Sequence, residues 1–103
     1  MNFQNIDVPT FQQKMEANPE SIILDVRTEV EKEEGDIEGS ILINIMSPDF
    51  YTEIEDLDKT KPCLVFCRSG NRSARACMIL SENGFQELYN LEGGIQAWNK
   101  QNK

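Results

Sequence analysis

The sequence predicts an α/β protein with a five-stranded, mostly parallel sheet flanked by helices on both faces. Two observations carry that prediction. Strand-like and helix-like stretches alternate from one end of the 103 residues to the other. Of the strand-like stretches, "SIILDV" and "PCLVFC" are continuous apolar runs, as expected of strands covered on both faces. No repeat, low-complexity tract or linker interrupts the pattern, and 103 residues suffice for one core, so residues 1–103 are expected to form a single domain.

Each element has its own justification. "FQNI" is a strand candidate. "VPTFQQKMEAN" reads as a helix, because Asp7 can cap it, Pro9 fits its first turn, and Phe11 and Met15 lie four apart. "SIILDV" is the second strand, and the polar "TEVEKEEGDIEGS" is a helix or loop ending near Gly35. "SILINI" reads as a third strand. "SPDFYTEIEDL" places Phe50, Ile54 and Leu57 at helical spacing. "PCLVFC" is the fourth strand. "NRSARACMILSENGF" is a helix with Ala74, Cys77 and Met78 on its apolar face and Gly84 as its stop. "ELYN" is the fifth strand, and "GGIQAWNKQ" is a last helix with Ile95 and Trp98 turned inward.

Composition narrows the function. No apolar run reaches the length of a membrane span, and the N-terminus lacks the basic start and apolar stretch of a signal peptide, so a cytoplasmic location is expected. The net charge of -8 argues against nucleic acid or an anionic membrane as partner. Three cysteines are an odd number and are expected to be free thiols in a reducing compartment. The absence of histidine excludes a Cys–His nucleophile pair and a Cys/His zinc site, and no metal is expected.

The most informative stretch is "VFCRSGNRSA". Cys67 ends a central-looking strand, where open α/β sheets place their ligands. After it come Arg68, Ser69, Gly70, Asn71 and Arg72, with Arg75 one turn further. Gly70 permits a turn that a side chain would resist. The backbone N–H groups of such a loop, together with the start of the following helix, favour an anion at the centre. The atom aimed there is the Cys67 sulfur, so the loop favours thiolate and makes a nucleophile without a separate base. The arginines read as a local positive spot that attracts a small anionic substrate. Arg72 lies five residues after Cys67, one fewer than in cysteine phosphatases. The tighter ring suits a sulfur atom carried on the cysteine better than a tetrahedral oxyanion.

On "ILDVRTEVE", "GDIEGSILINI", "VFCRSGNRSARA" and "NLEGGIQAW", which together span about Ile6 to Trp98, the chain resembles the single-domain rhodaneses, a family of sulfurtransferases. The resemblance implies a rhodanese-like fold. It makes Cys67 the nucleophile and persulfide carrier, taking sulfane sulfur from a donor such as thiosulfate and passing it to a thiophilic acceptor. Arg68 to Arg72 would form the cradle, with Arg68 and Arg72 holding the donor, and Ser73 would open the helix. No cofactor is implied. The implied partners are a small anionic sulfur donor and a thiol acceptor, either a small thiol or a protein such as a thioredoxin-like protein. The family often has Gly-His-Ile-Pro-Gly where this chain has Gly35-Asp36-Ile37-Glu38-Gly39, and an aromatic where it has Lys32. Those replacements bear on donor and acceptor preference. The competing expectations are a persulfide carrier that serves a dedicated protein partner, and a small phosphatase or arsenate reductase, against which the loop length argues.

The remaining candidates have plainer readings. Asp25 and Arg27 follow a buried strand and are expected to form a structural ion pair, because a carboxylate beside a thiolate would raise its pKa. Cys77 and Cys63 are expected to pack in the core, Cys63 being roughly 13 Å along the strand from Cys67. Arg75 fits either the pocket mouth or a solvated helix face. The acidic run from Glu29 to Glu38 reads as a solvated face, Trp98 as core, and Gly93–Gly94 as a tight turn beside the cysteine loop.

Overall fold

The computed structural model describes residues 2–102. Five strands form one parallel sheet in the order β1-β5-β4-β2-β3. They are β1 (Gln4–Ile6), β2 (Ile22–Asp25), β3 (Ile41–Leu42), β4 (Cys63–Phe66) and β5 (Leu88–Leu91). The helices are α1 (Val8–Ala17), α2 (Phe50–Ile54), α3 (Asn71–Glu82) and α4 (Gly94–Gln101), with a 3-10 helix at Val30–Glu34. All five predicted strands are present. The third is shorter than "SILINI", because only Ile41 and Leu42 pair regularly, with Leu24 and Asp25. Beyond them the chain leaves the ladder but still donates from Ile43 to the Asp25 carbonyl and from Ile45 to the Val26 carbonyl.

β4 is central, and all four of its residues are buried, as its unbroken apolar sequence requires. Alternate side chains serve two cores. Cys63 and Val65 join Phe50 and Ile54 of α2 and Ala76, Cys77 and Leu80 of α3 on one face. Leu64 and Phe66 join Val8 and Phe11 of α1 and Ile95 of α4 on the other. The fully buried Phe11, Phe50 and Phe66 each contribute roughly 2–3 kcal/mol of apolar burial.

Local signals set the helix ends. Asp7 accepts from the Thr10 N–H at 3.0 Å, and Pro9 lies in the first turn of α1. The inward face of α3 is Ser73, Ala76, Cys77 and Leu80. Met78, expected inside, is 44% exposed. The chain enters α3 from a loop that fixes Ser73 under the sheet edge, and the i, i+3, i+4, i+7 stripe counted from Ser73 excludes Met78. Trp98 is partly buried, edge-on to Phe11 with ring centroids 6.1 Å apart. No helix among the described residues is long and apolar enough to cross a membrane.

A parallel sheet has one chemical consequence. The carboxyl ends of all its strands lie along the same edge. The segments after β2, β4 and β5 therefore meet there, although they are far apart in sequence.

Candidate active site

Cys67 follows the last residue of β4, and its loop runs into α3 through Gly70, whose φ of 107° places it in the left-handed region. That turn points the Gly70 N–H at the Cys67 Sγ, 3.0 Å away. The Ser73 Oγ lies 3.3 Å from the same sulfur. Burial raises the Cys67 pKa, but the Ser73 hydroxyl and the backbone N–H groups of Ser73, Gly70 and Ser69 outweigh it, and the net shift is downward. The Gly70 N–H and the Ser73 hydroxyl are thus the two groups that face the sulfur.

The other two thiols behave oppositely. Burial pushes Cys63 up to about 12, and burial together with the nearby Cys63 and Cys67 pushes Cys77 up as well. All three cysteines are free and buried.

A polar network lies under the loop. Asn90, the one amide side chain of β5, is 3% exposed. Its Nδ2 donates to the Asn5 Oδ1 at 2.8 Å and to the Gly70 carbonyl at 3.1 Å. Both amide protons are thereby used, which turns its Oδ1 towards Ser73, whose Oγ donates to it. Ser73 has a single hydroxyl proton, so Asn90 and the Cys67 sulfur compete for it. Sequence reading missed Asn90 and Asn5; the available signal was a lone amide inside a strand otherwise made of buried apolar residues.

β5 and α4 close the loop from behind. The Ile95 N–H donates to the Cys67 carbonyl at 2.8 Å and the Gln96 N–H to the Arg68 carbonyl at 3.2 Å. Gly93 and Gly94 make the expected tight turn, with φ of 80° and 58°.

The arginines require a correction. They do not form an open positive spot. The Arg72 guanidinium is held by Glu31 through two bonds, Nη1 to Oε1 at 2.8 Å and Nη2 to Oε2 at 2.6 Å. The Arg68 Nε donates to the Glu34 Oε1 at 2.9 Å. Arg75 is exposed and forms no ion pair among the described residues. The acidic run is likewise more than a solvated face, because its 3-10 helix sets Glu31 and Glu34 against the cysteine loop. Parallel packing of β2 beside β4 brings these segments together. The Thr28-x-x-Glu31 spacing was a usable signal. Glu31 accepts from the Thr28 N–H at 3.0 Å and the Thr28 hydroxyl at 3.1 Å, in a capping-box arrangement that orients the carboxylate. The Arg72 hydrogen bond is the main reason the Glu31 carboxyl is held down at about 2.

Asp25 and Arg27 form the expected ion pair, fully buried, with the Arg27 Nε 2.9 Å from Oδ1 and Nη2 2.8 Å from Oδ2. Arg27 also donates to the carbonyls of Glu31 and Gly35, both at 2.9 Å, and so pins the 3-10 helix. Lys32 and Asp36 pair at 3.7 Å. Asp36 also accepts from the Ile37 N–H at 2.9 Å and the Ser40 hydroxyl at 3.0 Å. Among the described residues, no group of three or more His, Cys, Asp or Glu side chains could hold a metal ion.

Comparison with known proteins bears on the family and the fold. The family model of the rhodanese-like domain matches residues 7–101. YtwF of Bacillus subtilis strain 168, provisionally named a sulfurtransferase, is 37% identical over 103 residues, covering 100% of this chain and 97% of that protein. A sulfurtransferase of Allochromatium vinosum is 30% identical, covering 90% of this chain and 85% of that one. Among solved structures, a rhodanese-related protein from Thermoplasma volcanium superposes with a TM-score of 0.81 at 33% identity, covering 95% of this chain and 92% of that one.

Proposed function

The chain belongs to the rhodanese-like domain family and shares 90% or more of its length with two relatives named as sulfurtransferases; on that premise we propose that it transfers sulfane sulfur through a persulfide on Cys67. The observation that carries the reading is the Cys67 sulfur, which accepts from the Gly70 N–H at 3.0 Å and sits 3.3 Å from the Ser73 hydroxyl. These donors stabilise a thiolate, which is both the attacking group of the first step and the leaving group of the second.

With thiosulfate as donor, the Cys67 thiolate attacks the outer sulfur. An S–S bond forms to Cys67, the sulfur–sulfur bond of thiosulfate breaks, and sulfite departs with its electron pair. An acceptor nucleophile, cyanide or a thiolate, then attacks the outer sulfur of the persulfide. Cys67 leaves as thiolate, and the acceptor carries the sulfur away as thiocyanate or as a new persulfide. No net proton or electron is required. Ser69 adds its backbone N–H to the cradle, Asn71 is exposed at the start of α3, and Arg68 and Arg72 are the groups available to an anionic donor. Each is already paired with a carboxylate, Arg72 through two bonds and Arg68 through one.

That last point favours a second reading. A carrier that takes sulfur from a protein persulfide has no dianion to bind and can leave both ion pairs intact. Relatives of the chain include proteins named for thiosulfate, such as the thiosulfate sulfurtransferase GlpE of Coxiella burnetii, 36% identical over 77 residues.

The test is an intact mass spectrum after incubation with thiosulfate, and again after cyanide. A gain of one sulfur atom that cyanide removes, absent in Cys67→Ser, is the expected result. No gain in folded protein with a free Cys67 would remove thiosulfate as donor and leave the carrier reading in front.

A further inference from the structure

We infer that Glu31 is the residue that sets donor selectivity at this site, by occupying the Arg72 guanidinium and cancelling its charge against dianionic donors. The inference takes Cys67 as the reacting thiol, from the reading above, and goes beyond it by naming the class of donor that the site disfavours.

Three observations support it. First, the contact is bidentate: both oxygens of Glu31 are used, on both terminal nitrogens of Arg72, at 2.8 and 2.6 Å. Glu31 thereby takes the Nη1/Nη2 edge of Arg72 and leaves a thiosulfate or similar oxyanion only the Nε edge of a guanidinium whose charge is already balanced. Second, the pair is sheltered, with side chains 28% and 18% exposed. The neighbouring Arg68–Glu34 pair, at 51% and 46%, is open to water and therefore weaker. Third, Glu31 is not free to swing away. Its Oε1 also accepts from the Thr28 N–H and hydroxyl, and its own carbonyl is held by Arg27. Of the three cationic side chains around the loop, Arg72 is thus compensated by a fixed, ionised carboxylate. A dianion gains little from a guanidinium so compensated and is repelled by the carboxylate beside it, whereas an uncharged sulfur donor is indifferent to both.

The test separates charge selectivity from sulfur transfer. Cys67 is alkylated in native protein with iodoacetate, an anion, and with iodoacetamide, its neutral analogue of similar size. The ratio of the two rates cancels both thiolate fraction and access, and reports the potential at the sulfur. For the wild type the ratio should lie at or below that of a neutral model thiol; a ratio many-fold above it would mean an available positive site and overturn the inference. Glu31→Gln keeps the Oε1 contacts to Thr28 but turns an amide N–H2 towards Arg72. It should raise the ratio by about three- to tenfold, as expected for removal of one nearby charge at the edge of a protein. Glu34→Gln should change it by less than about twofold. An unchanged ratio in folded Glu31→Gln, or an equal rise in Glu34→Gln, would sink the inference. Because the wild-type comparison needs no variant, poor folding of Glu31→Gln does not rescue it. If the chain also turns over thiosulfate, Glu31→Gln should lower its KM more than it changes kcat. If it does not, the alkylation ratio still decides the question about Glu31.

Discussion

The backbone N–H of Ile95 donates to the carbonyl of Cys67 at 2.8 Å, so the last helix is fastened to the residue that carries the candidate reactive sulfur. The turn that allows this is Gly94. A Cβ there would come within 2.5 Å of the Cys67 carbonyl oxygen and of the Arg68 carbonyl group. These are backbone atoms of the cradle itself and cannot rotate aside.

Gly94→Ala is therefore expected to destabilise the fold by more than about 3 kcal/mol, combining overpacking with a side chain at a φ of 58°. Urea unfolding measures it. A loss below about 1 kcal/mol would mean that the cradle and α4 are not packed as described.

The Ser73 hydroxyl lowers the Cys67 pKa, and Ser73→Ala removes it. One hydrogen bond is worth about 0.5–1.5 kcal/mol, or up to about one pKa unit. The pH–rate profile of iodoacetamide alkylation should move to higher pH, with the neutral-pH rate falling about three- to tenfold. A profile that overlays the wild type would show that Ser73 spends its proton on Asn90 alone.

The thiols should separate by reactivity. At neutral pH native protein should be alkylated at Cys67 and not at Cys63 or Cys77, whose pKa values are raised by burial. Cys77→Ser buries a hydroxyl in an apolar core and should cost about 1–3 kcal/mol while leaving transfer per folded molecule intact. If that variant is folded and inactive, Cys67 is not the site.

Glu31 links stability to acid. Its carboxyl sits at about 2 in the folded chain and would titrate near 4.5 unperturbed. A depressed folded pKa stabilises above the unfolded value, and the contribution is lost as pH falls through the folded one. The stability difference between wild type and Glu31→Gln should therefore shrink by about 1–2 kcal/mol between pH 6 and pH 3, allowing for partial exposure of the pair. Urea unfolding at the two pH values checks it; a difference independent of pH would place Glu31 outside the ion pair in solution.

Local patterns were enough for much of the fold. The apolar runs at Ile22–Asp25 and Cys63–Phe66 announced doubly covered strands, Asp7 and Pro9 announced the start of α1, and Gly70 announced the turn before α3. In each case the deciding forces act within a few residues. The third strand and the face of α3 were legible only in part. Ile41–Leu42 is an edge strand with one partner, and Met78 is turned out by the way Ser73 is anchored. Both are decided by neighbours that are distant in sequence.

The candidate site divides the same way. By itself the sequence determined the cysteine, the glycine that turns its loop, and the start of the helix that follows, because a strand end, a left-handed residue and a helix start are neighbours along the chain. Only the tertiary structure decided what happens to the charge around the sulfur. Parallel pairing of β2 with β4 lays a segment 41 residues away against the loop, and its carboxylates pair with Arg68 and Arg72. Pairing of β4 with β5 puts Asn90 beneath Ser73. Electrostatics at a site is a sum over everything close in space, and closeness in space is what the sheet order, not the order of residues, sets.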